Sequence, residues 1–563
     1  MALRFFHNHI GFDVERPKHV LVDVSERAGE ELGFKLQSVT GVTALEGTLG
    51  GAQGAWRGQT LRSADISAAP AGRYWLEVDG QRSAPFWVGP RLLLERTLDT
   101  VLAYYAQQRC AEPWDSTDRS APFVGERTER VDVSGGWYDA SGDVSKYLSH
   151  LSYANFFNPQ QTPIVVWALL EHLERRSSHA VGVRERLLDE ALHGADFLCR
   201  MQDPAGYFYM TLFDKWSKKL EERQICAYKT QQGIRLEGYQ SGYRQGGGAT
   251  IAALARAARV LETTVKDATR AERYRAAAER GFSHLEEHNV EYLDDGRENI
   301  IDDYCALLAA TELYALTKSE AHLAAARKRS ASLEARVMRS GPLKGWLRAD
   351  DGERPFFHAA EAGLPVVALL RFSEIEPDKA HAERLRSRAA ECLAFELAIT
   401  SEVDNPYGYA RQFTQSASGV KKTAFFIPHD NETGYWWQGE NARLGSLAGA
   451  AGLFCRLDQS AEHAALREQL RAFAFDQLDW ILGKNPFDSC MLHGFGRNNV
   501  DYMLQWPNCA GGILNGITSG YTDEDDIDFA RTEGVVGDHS WRWQEQWIPH
   551  AAWYLVALAE LTV

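Results

Sequence analysis

The sequence predicts a chain in two parts, a small β-sandwich over residues 1–89 followed by an all-helical toroid over residues 90–563. Three observations lead there. Before residue 90, short stretches of alternating polarity are separated by Gly, Pro and Asp turns at fairly even spacing. After it, apolar residues recur at three- and four-residue steps through about twelve long segments. Those segments roughly alternate between Ala-rich, mostly apolar runs and runs with one charged face, as inner and outer helices of stacked hairpins would.

The strands are carried by "HVLVDV", "GFKLQSV", "GRYWLEVDG" and "SAPFWVG", and the last of these runs into Gly89-Pro90, where the parts meet. Helices are expected near 91–109, 160–176, 183–202, 247–262, 267–287 and 300–316. Six more follow near 320–339, 356–373, 377–397, 434–457, 461–483 and 548–561. "ATIAALARAARVL" and "LGSLAGAAGLF" read as inner helices, "KDATRAERYRAAAERGF" as an outer one. The connections 111–147, 204–246, 398–433 and 484–547 are longer than bare connectors need to be. Chemistry is expected in them, where the loops at one end of the toroid converge on a cleft.

With 45% hydrophobic and 25% charged residues the composition is that of a globular protein, and a formal charge of −16 excludes the basic face that nucleic acid or an anionic membrane needs. No segment is long and apolar enough to span a bilayer. "MALRFFHNHIGFDVERPKHV" lacks the apolar core of a secretory leader, and the eight cysteines are scattered without a CxxC. A reduced, cytoplasmic protein is expected. No cofactor and no catalytic metal are expected, and the acidic run "YTDEDDIDF" reads as a solvated loop.

The stretch "GGWYDASGDVSKY" places Asp139 and Asp143 four apart among glycines and large aromatics. Asp beside Gly organises turns routinely. Here, however, Gly135 and Gly136 would let backbone approach a ligand, and Trp137 and Tyr138 offer flat faces suited to sugar rings. Two close carboxylates can fix one water, and their mutual repulsion raises the pair's proton affinity. That is the base of an inverting glycosidase, which needs a carboxylic acid across the sugar, ~6.5–9.5 Å away. Glu545 in "HSWRWQEQWIPHAAWYLVALAEL", flanked by Trp541, Trp543 and Trp547, is the leading candidate acid. A poorly hydrated carboxyl stays protonated near neutrality. Glu533 and Asp538 compete for the role within the same loop.

These residues resemble glycoside hydrolase family 9, whose members join an N-terminal immunoglobulin-like domain to an (α/α)6 barrel and cleave β-1,4 bonds with inversion. "NHIGFDVERPKHVLV" is similar to the opening strands of the family's first module, "GGWYDASGD" to its Gly-Gly-Trp-Tyr-Asp-Ala-Gly-Asp signature, and "DWILGKNPFDSCMLHGFG" to its Gly-x-Asn-Pro and Gly-Phe-Gly segments. Trp541 stands four positions before Glu545 and Ala552 seven after, as aromatic and small residues flank the family's acid. The resemblance implies Asp143 as principal base, Asp139 as its partner in holding the water, and Glu545 as general acid.

Departures bear on substrate. Ser141 adds a residue between the aspartates, and "RNNVDYMLQWPNCAGGILNGITSGY" stands where cellulases carry a His-Arg motif. Trp547 and Ala551 replace the usual small residue and asparagine after the acid. These features resemble the family's cytoplasmic exo-β-D-glucosaminidase branch, which releases glucosamine from non-reducing ends of short chitosan oligosaccharides. A glucosamine ammonium group would need carboxylates, and Asp302, Asp303, Asp430 and Glu432 are candidates, each equally able to cap a helix. Tyr138 and Trp547 are the candidate sugar-stacking residues. Two other readings stand beside this one: an endo-β-1,4-glucanase, and a carbohydrate-binding protein that has lost catalysis. A terpenoid-cyclase-like toroid would not need the β-rich module.

Overall fold

The computed structural model describes residues 3–562 except 28, 57, 151–152, 177, 230–231, 433–437, 504, 506 and 530–539, and the backbone alone of 52–55. The N-terminal part holds ten strands: β1 (Arg4–Phe6), β2 (Phe12–Asp13), β3 (His19–Asp23), β4 (Gly33–Ser38), β5 (Thr43–Thr48), β6 (Ala52–Trp56), β7 (Gln59–Asp65), β8 (Gly72–Val78), β9 (Gln81–Arg82) and β10 (Phe86–Gly89). They form two sheets, β1-β3-β7-β6 and β2-β10-β8-β4-β5, with β9 paired to β8. Period-two alternation sends Phe34, Leu36, Leu76 and Val78 into the space between them.

Strand β3 shows why a run such as "HVLVD" is apolar throughout. Val20 and Val22 face the sandwich interior, whereas Leu21 belongs with Phe6 and Leu61 to the core of the helical part. One sheet is thus buried on both faces. Strand β10 ends at Gly89, and the first helix begins at Leu92.

Among the described residues fourteen helices follow: α1 (Leu92–Gln108), α2 (Trp114–Asp118), α3 (Thr162–Arg175), α4 (Val181–Arg200), α5 (Gly248–Val260), α6 (Ala268–Tyr292), α7 (Ile300–Thr317), α8 (Glu320–Ala335), α9 (Leu364–Ile375), α10 (Lys379–Thr400), α11 (Asn441–Leu457), α12 (Ala464–Ile481), α13 (Trp541–Gln544) and α14 (Ile548–Leu561). Helices α3, α5, α7, α9, α11 and α14 each pack on the next, and α14 packs back on α3. Helices α4, α6, α8, α10 and α12 cover their inner partners from outside, and α1 covers α14. The inner helices are buried nearly all round, which explains their Ala- and Leu-rich sequences.

Helix α9 starts at Leu364 rather than near 356. Pro365 fixes the first turn, and proline's ring and missing N–H oppose a preceding helical turn, so "FFHAAEA" forms a loop. Helix α11 starts at Asn441, and residues 434–437 of its expected first turn lie outside the described residues.

The C-terminal ends of all six inner helices meet in a ring of charge. Arg256 of α5 bonds Glu174 of α3 at 2.6 Å and Glu312 of α7 at 3.3 Å, and it also bonds Glu171. Arg371 of α9 reaches Glu312 at 3.2 Å, while Arg456 of α11 joins Glu374 at 3.0 Å and Glu560 of α14 at 2.7 Å. Burial pushes Glu312 up, yet Arg256, Arg371 and Arg259 together pull it down to about 2. This end of the toroid is plugged by ionised pairs. The long connections all enter inner helices at the opposite, N-terminal end, so the cleft lies there. Replacing Arg256 by Met removes a partner shared by Glu171, Glu174 and Glu312, which keep Arg175, Arg259 and Arg371, and should cost about 3 kcal/mol, read as a lower denaturant midpoint.

Candidate active site

The loop before α3 is pinned from below. Lys146, fully buried, donates to the carbonyls of Val133 (2.7 Å) and Gly135 (2.8 Å) and pairs with Asp118 at 2.8 Å. Gly135 and Gly136 have φ of 79° and 72°, and a Cβ on Gly136 would meet the Phe197 ring at 2.7 Å. The two glycines therefore serve close packing on α4, not approach to a ligand. Trp137 is completely buried and gives its indole N–H to Glu190 at 2.7 Å, which makes it core. Tyr138 turns away as well. Its hydroxyl exchanges hydrogen bonds with the Ala111 backbone at 3.0 and 3.3 Å, and its ring meets Trp114 edge-on.

Beyond Tyr138 the chain makes a tight turn, with Ala140 and Asp143 exchanging backbone hydrogen bonds of 3.3 and 3.2 Å around Ser141-Gly142. Residues Glu545–Ile548 lie along this turn. The Ser141 N–H donates to the Gln546 carbonyl at 2.9 Å, the Gln546 N–H to Ser141 Oγ at 3.0 Å, and the Ile548 N–H to the Asp139 carbonyl at 3.1 Å. Gly142 completes the join by donating its N–H to Glu545 Oε1 at 3.1 Å. Asp139, Asp143 and Glu545 are thereby brought together at one end of the helical ring.

Their partners differ. Asp139 Oδ1 accepts from Trp547 Nε1 at 3.1 Å and from the Gln161 side-chain amide. Asp143 receives three donors: the Ser145 N–H on Oδ1 at 2.8 Å, then the Tyr147 hydroxyl at 2.8 Å and the Trp216 indole at 3.1 Å on Oδ2. Burial, then the charges of Asp143 and Glu545, push Asp139 far above the usual carboxylate range. Asp143 is also raised, by burial and then by Asp214, but the donors from Ser145 and Tyr147 oppose the shift. Asp143 thus has three donors to support a negative charge, and Asp139 has two. Burial, with the charge of Asp143 added, raises Glu545 to about 8, against the Gly142 N–H and Lys218. One carboxylic acid stands ready to donate a proton, facing a carboxylate that can accept one.

The glycosyl hydrolase family 9 model matches residues 95–505, well over half of the sequence. The chain belongs to glycosyl hydrolase family 9. It is a glycoside hydrolase. The match contains Asp139 and Asp143, while Glu545 lies beyond it. Curated protein sequences yield no match. Among solved structures, a metagenome-derived glycoside hydrolase family 9 endoglucanase is 19% identical with a TM-score of 0.67, covering 100% of this chain and 99% of its own. A Bacteroides ovatus family 9 protein is 19% identical with a TM-score of 0.68, covering 99% and 98%. A thermostable endoglucanase from Alicyclobacillus acidocaldarius is 18% identical with a TM-score of 0.65, covering 99% of each chain. At these identities the likeness is one of fold.

Other residues singled out in the sequence of this family 9 hydrolase take structural roles. Asp302 caps α7 by accepting from the Asn299 N–H at 2.9 Å, and it pairs with Arg244 at 3.3 Å. Asp303 faces outward to α8, where Arg336 (2.7 Å), Ser332 (2.9 Å) and Arg329 (3.4 Å) take up its oxygens, so it is not a sugar ligand. Glu432 is ion-paired with the buried Arg354, and Asp430 is exposed beside it. Trp547 is buried and acts as a donor to Asp139 rather than as a stacking platform. Glu533 and Asp538 lie outside the described residues. In the acidic run, Glu524 and Asp525 bind Lys422 at 2.8 and 3.1 Å. Among the described residues no three His, Cys, Asp or Glu side chains are placed to hold a metal.

Gln161, Tyr147 and Trp216, which bond the aspartates, have no signature in helical or strand period. Tyr147 does lie close after Asp143 in the same quoted stretch, which was a usable signal. The others arrive from distant loops.

Two predictions follow from this geometry. A Cβ on Gly142 would lie 2.6 Å from Glu545 Oε1 and 2.4 Å from Tyr502 Cε1, and the backbone there is not left-handed. Gly142→Ala should therefore displace the acid, lowering kcat about tenfold or more with a near-unchanged melting temperature. Glu545 folds with a carboxyl raised to about 8 from an ordinary 4.5, so the stability it confers is full below about pH 4.5 and is lost as pH rises through about 8. Glu545→Gln should melt above the native protein at pH 8–9, and the gap should close by about pH 5.

Proposed function

We propose that this enzyme cleaves β-1,4 glycosidic bonds with inversion, acting as an exo-β-D-glucosaminidase on short chitosan oligosaccharides. The observation that carries the mechanism is the Gly142 N–H bond to Glu545 Oε1, because it ties the acid to the turn that bears both aspartates. Asp139 leaves Oδ2 and Asp143 leaves one lone pair on Oδ1 for a shared water. Asp143 takes a proton from that water as its oxygen attacks the anomeric carbon, while Glu545 gives its proton to the departing oxygen. The product anomer is then opposite in configuration to the substrate.

The amino-sugar reading draws on charge. Asp139, Asp143, Asp214 and Glu545 surround the site, with Lys218 as the cation acting on the acid. A substrate ammonium group would interact favourably with the aspartate pair in so dry a place. Asp302 and Asp303, being held by arginines, give no support to this reading. The closed ring of six inner helices, each covered by an outer one, supports reading the catalytic part as an (α/α)6 barrel, and the two packed sheets support an immunoglobulin-like module. Unpaired cysteines, all eight free, fit a reducing, cytoplasmic setting. Endo-β-1,4-glucanase activity is the second reading, favoured by full-length likeness to solved structures titled endoglucanases.

Release of glucosamine from a chitosan dimer, with the acetylated dimer and cellobiose untouched, is the expected result. A fall in viscosity of carboxymethylcellulose would select the glucanase instead. Proton NMR should show the α anomer first from a β-linked substrate. Glu545→Gln should lower kcat about 100-fold or more with KM within a few-fold. Near-normal turnover would move the acid to Glu533 or Asp538.

A further inference from the structure

Residues 214–218, "DKWSK", form a strap that no step of the mechanism above uses. It leaves the strand Thr211–Phe213, which pairs with Lys146–Tyr147 in the register Lys146 to Leu212 and Tyr147 to Thr211. The strap is therefore anchored on the same backbone that carries Asp143. Lys215, Trp216 and Lys218 all have left-handed backbones, with φ of 58°, 57° and 59°. Non-glycine residues hold such a conformation only where their surroundings over-determine it.

Asp214 supplies that determination. Its Oδ1 accepts from the Trp216 N–H at 3.0 Å and from Ser145 Oγ at 2.9 Å, and its Oδ2 accepts from the Lys218 N–H at 2.8 Å. Ser217 Oγ donates to the Asp214 carbonyl at 2.7 Å. One buried carboxylate thus folds the strap and ties it to the residue two positions after the base.

The indole of Trp216 stands edge-on against Phe213 and Tyr228, with ring centroids 4.9 and 5.8 Å away, and the residue remains 37% exposed. Its Nε1 points inward to Asp143 Oδ2 at 3.1 Å, an oxygen that already receives the Tyr147 hydroxyl at 2.8 Å. Oδ2 thus receives two donors, the Tyr147 hydroxyl and the Trp216 indole, whereas Oδ1 receives the Ser145 N–H.

We propose that Trp216, set by the Asp214 strap, is a positioning residue for the base, saturating Asp143 Oδ2 so that Oδ1 accepts the water's proton, while its exposed face meets the bound sugar. This rests on Asp143 being the base.

The test uses the full chain and whichever of chitosan dimer or carboxymethylcellulose it hydrolyses. Trp216→Phe keeps a ring and removes the N–H. Its kcat should fall about tenfold or more with KM within about twofold. Losing a donor to the anion also favours the protonated form, so the acid limb of kcat/KM should move to higher pH. Trp216→Leu, which loses the ring too, should add a rise in KM of about tenfold. A Trp216→Phe enzyme with native kcat and a native acid limb overturns the proposal, as does a Trp216→Leu enzyme whose KM matches that of Trp216→Phe. If Trp216→Leu does not fold, the Phe variant decides alone. Asp143→Asn separates the two levels. Its inactivity beside a normal Trp216→Phe defeats only the strap, whereas an active Asp143→Asn defeats the base assignment and the strap with it.

Discussion

Four backbone-level contacts between residues 139–142 and 545–548 hold the active site in being. Asp139 and Asp143 sit on one side of this clasp and Glu545 on the other, some four hundred positions later in the chain. The clasp does two things at once. It joins the loop entering the first inner helix to the segment entering the last, where α3 and α14 close the ring. It also ties the Glu545 carboxyl to the two aspartates, since the hydrogen-bond donor to Glu545 is the backbone of the turn between them. Ser141, the residue added in that turn, is where the join is densest. Its backbone and hydroxyl both engage Gln546, and the hydroxyl donates to Asn508 at 3.0 Å, so three loops are coupled through one side chain.

The two ends of the toroid show opposite answers to the same electrostatic problem. At the closed end, buried Glu171 and Glu312 meet several arginines, and their ionised forms win despite burial. At the open end, no arginine among the described residues bonds Asp139, Asp143 or Glu545, so burial and the charges of neighbouring carboxylates win and all three rise. The first arrangement binds six helices into one body. The second holds protons where a glycosidic bond could use them, and it is tolerable because the ring beneath it is rigid. Within the open end, the number of donors sorts the pair: three on Asp143, two on Asp139. This difference supports a negative charge better on Asp143 than on Asp139.

Much of this was legible in the sequence because helical period and strand alternation report burial directly, and all twelve long helices were expected near where they lie. The three carboxyls that the structure brings together were singled out in the sequence too, Asp139 and Asp143 from an unusual local composition and Glu545 from its aromatic setting. Local composition misled at Trp137 and Tyr138, where large aromatics beside Asp139 proved to be packing against α4 and the Ala111 turn. Asp303 misled for a related reason. An acid at a helix start reads the same whether it faces the cleft or an outer helix, and only Arg329 and Arg336, on another element, decide. Trp216 was invisible because its contact with Asp143 depends on a strand pairing and on three left-handed residues, neither of which has a periodic signature.

The N-terminal module gains a physical role from the same long-range logic. His9 is wedged between Gly483 and Gly496, where a Cβ on either would fall within 2.6 Å of its ring. Those glycines belong to "GKNPFD" and "GFG", so these motifs shape a socket for the first module rather than a sugar site. The His9 ring bonds Asp488 at 3.0 Å and accepts from the Arg497 N–H at 3.3 Å, while its backbone donates to Leu482. The loop so gripped continues to Asn508, whose amide donates to the Gln544 carbonyl at 2.9 Å, and to Asn515, whose N–H donates to the Glu545 carbonyl at 2.7 Å. The sandwich is thus bonded, through one loop, to the backbone carbonyls of Gln544 and Glu545, so the first module and the segment that bears Glu545 are braced by the same connection.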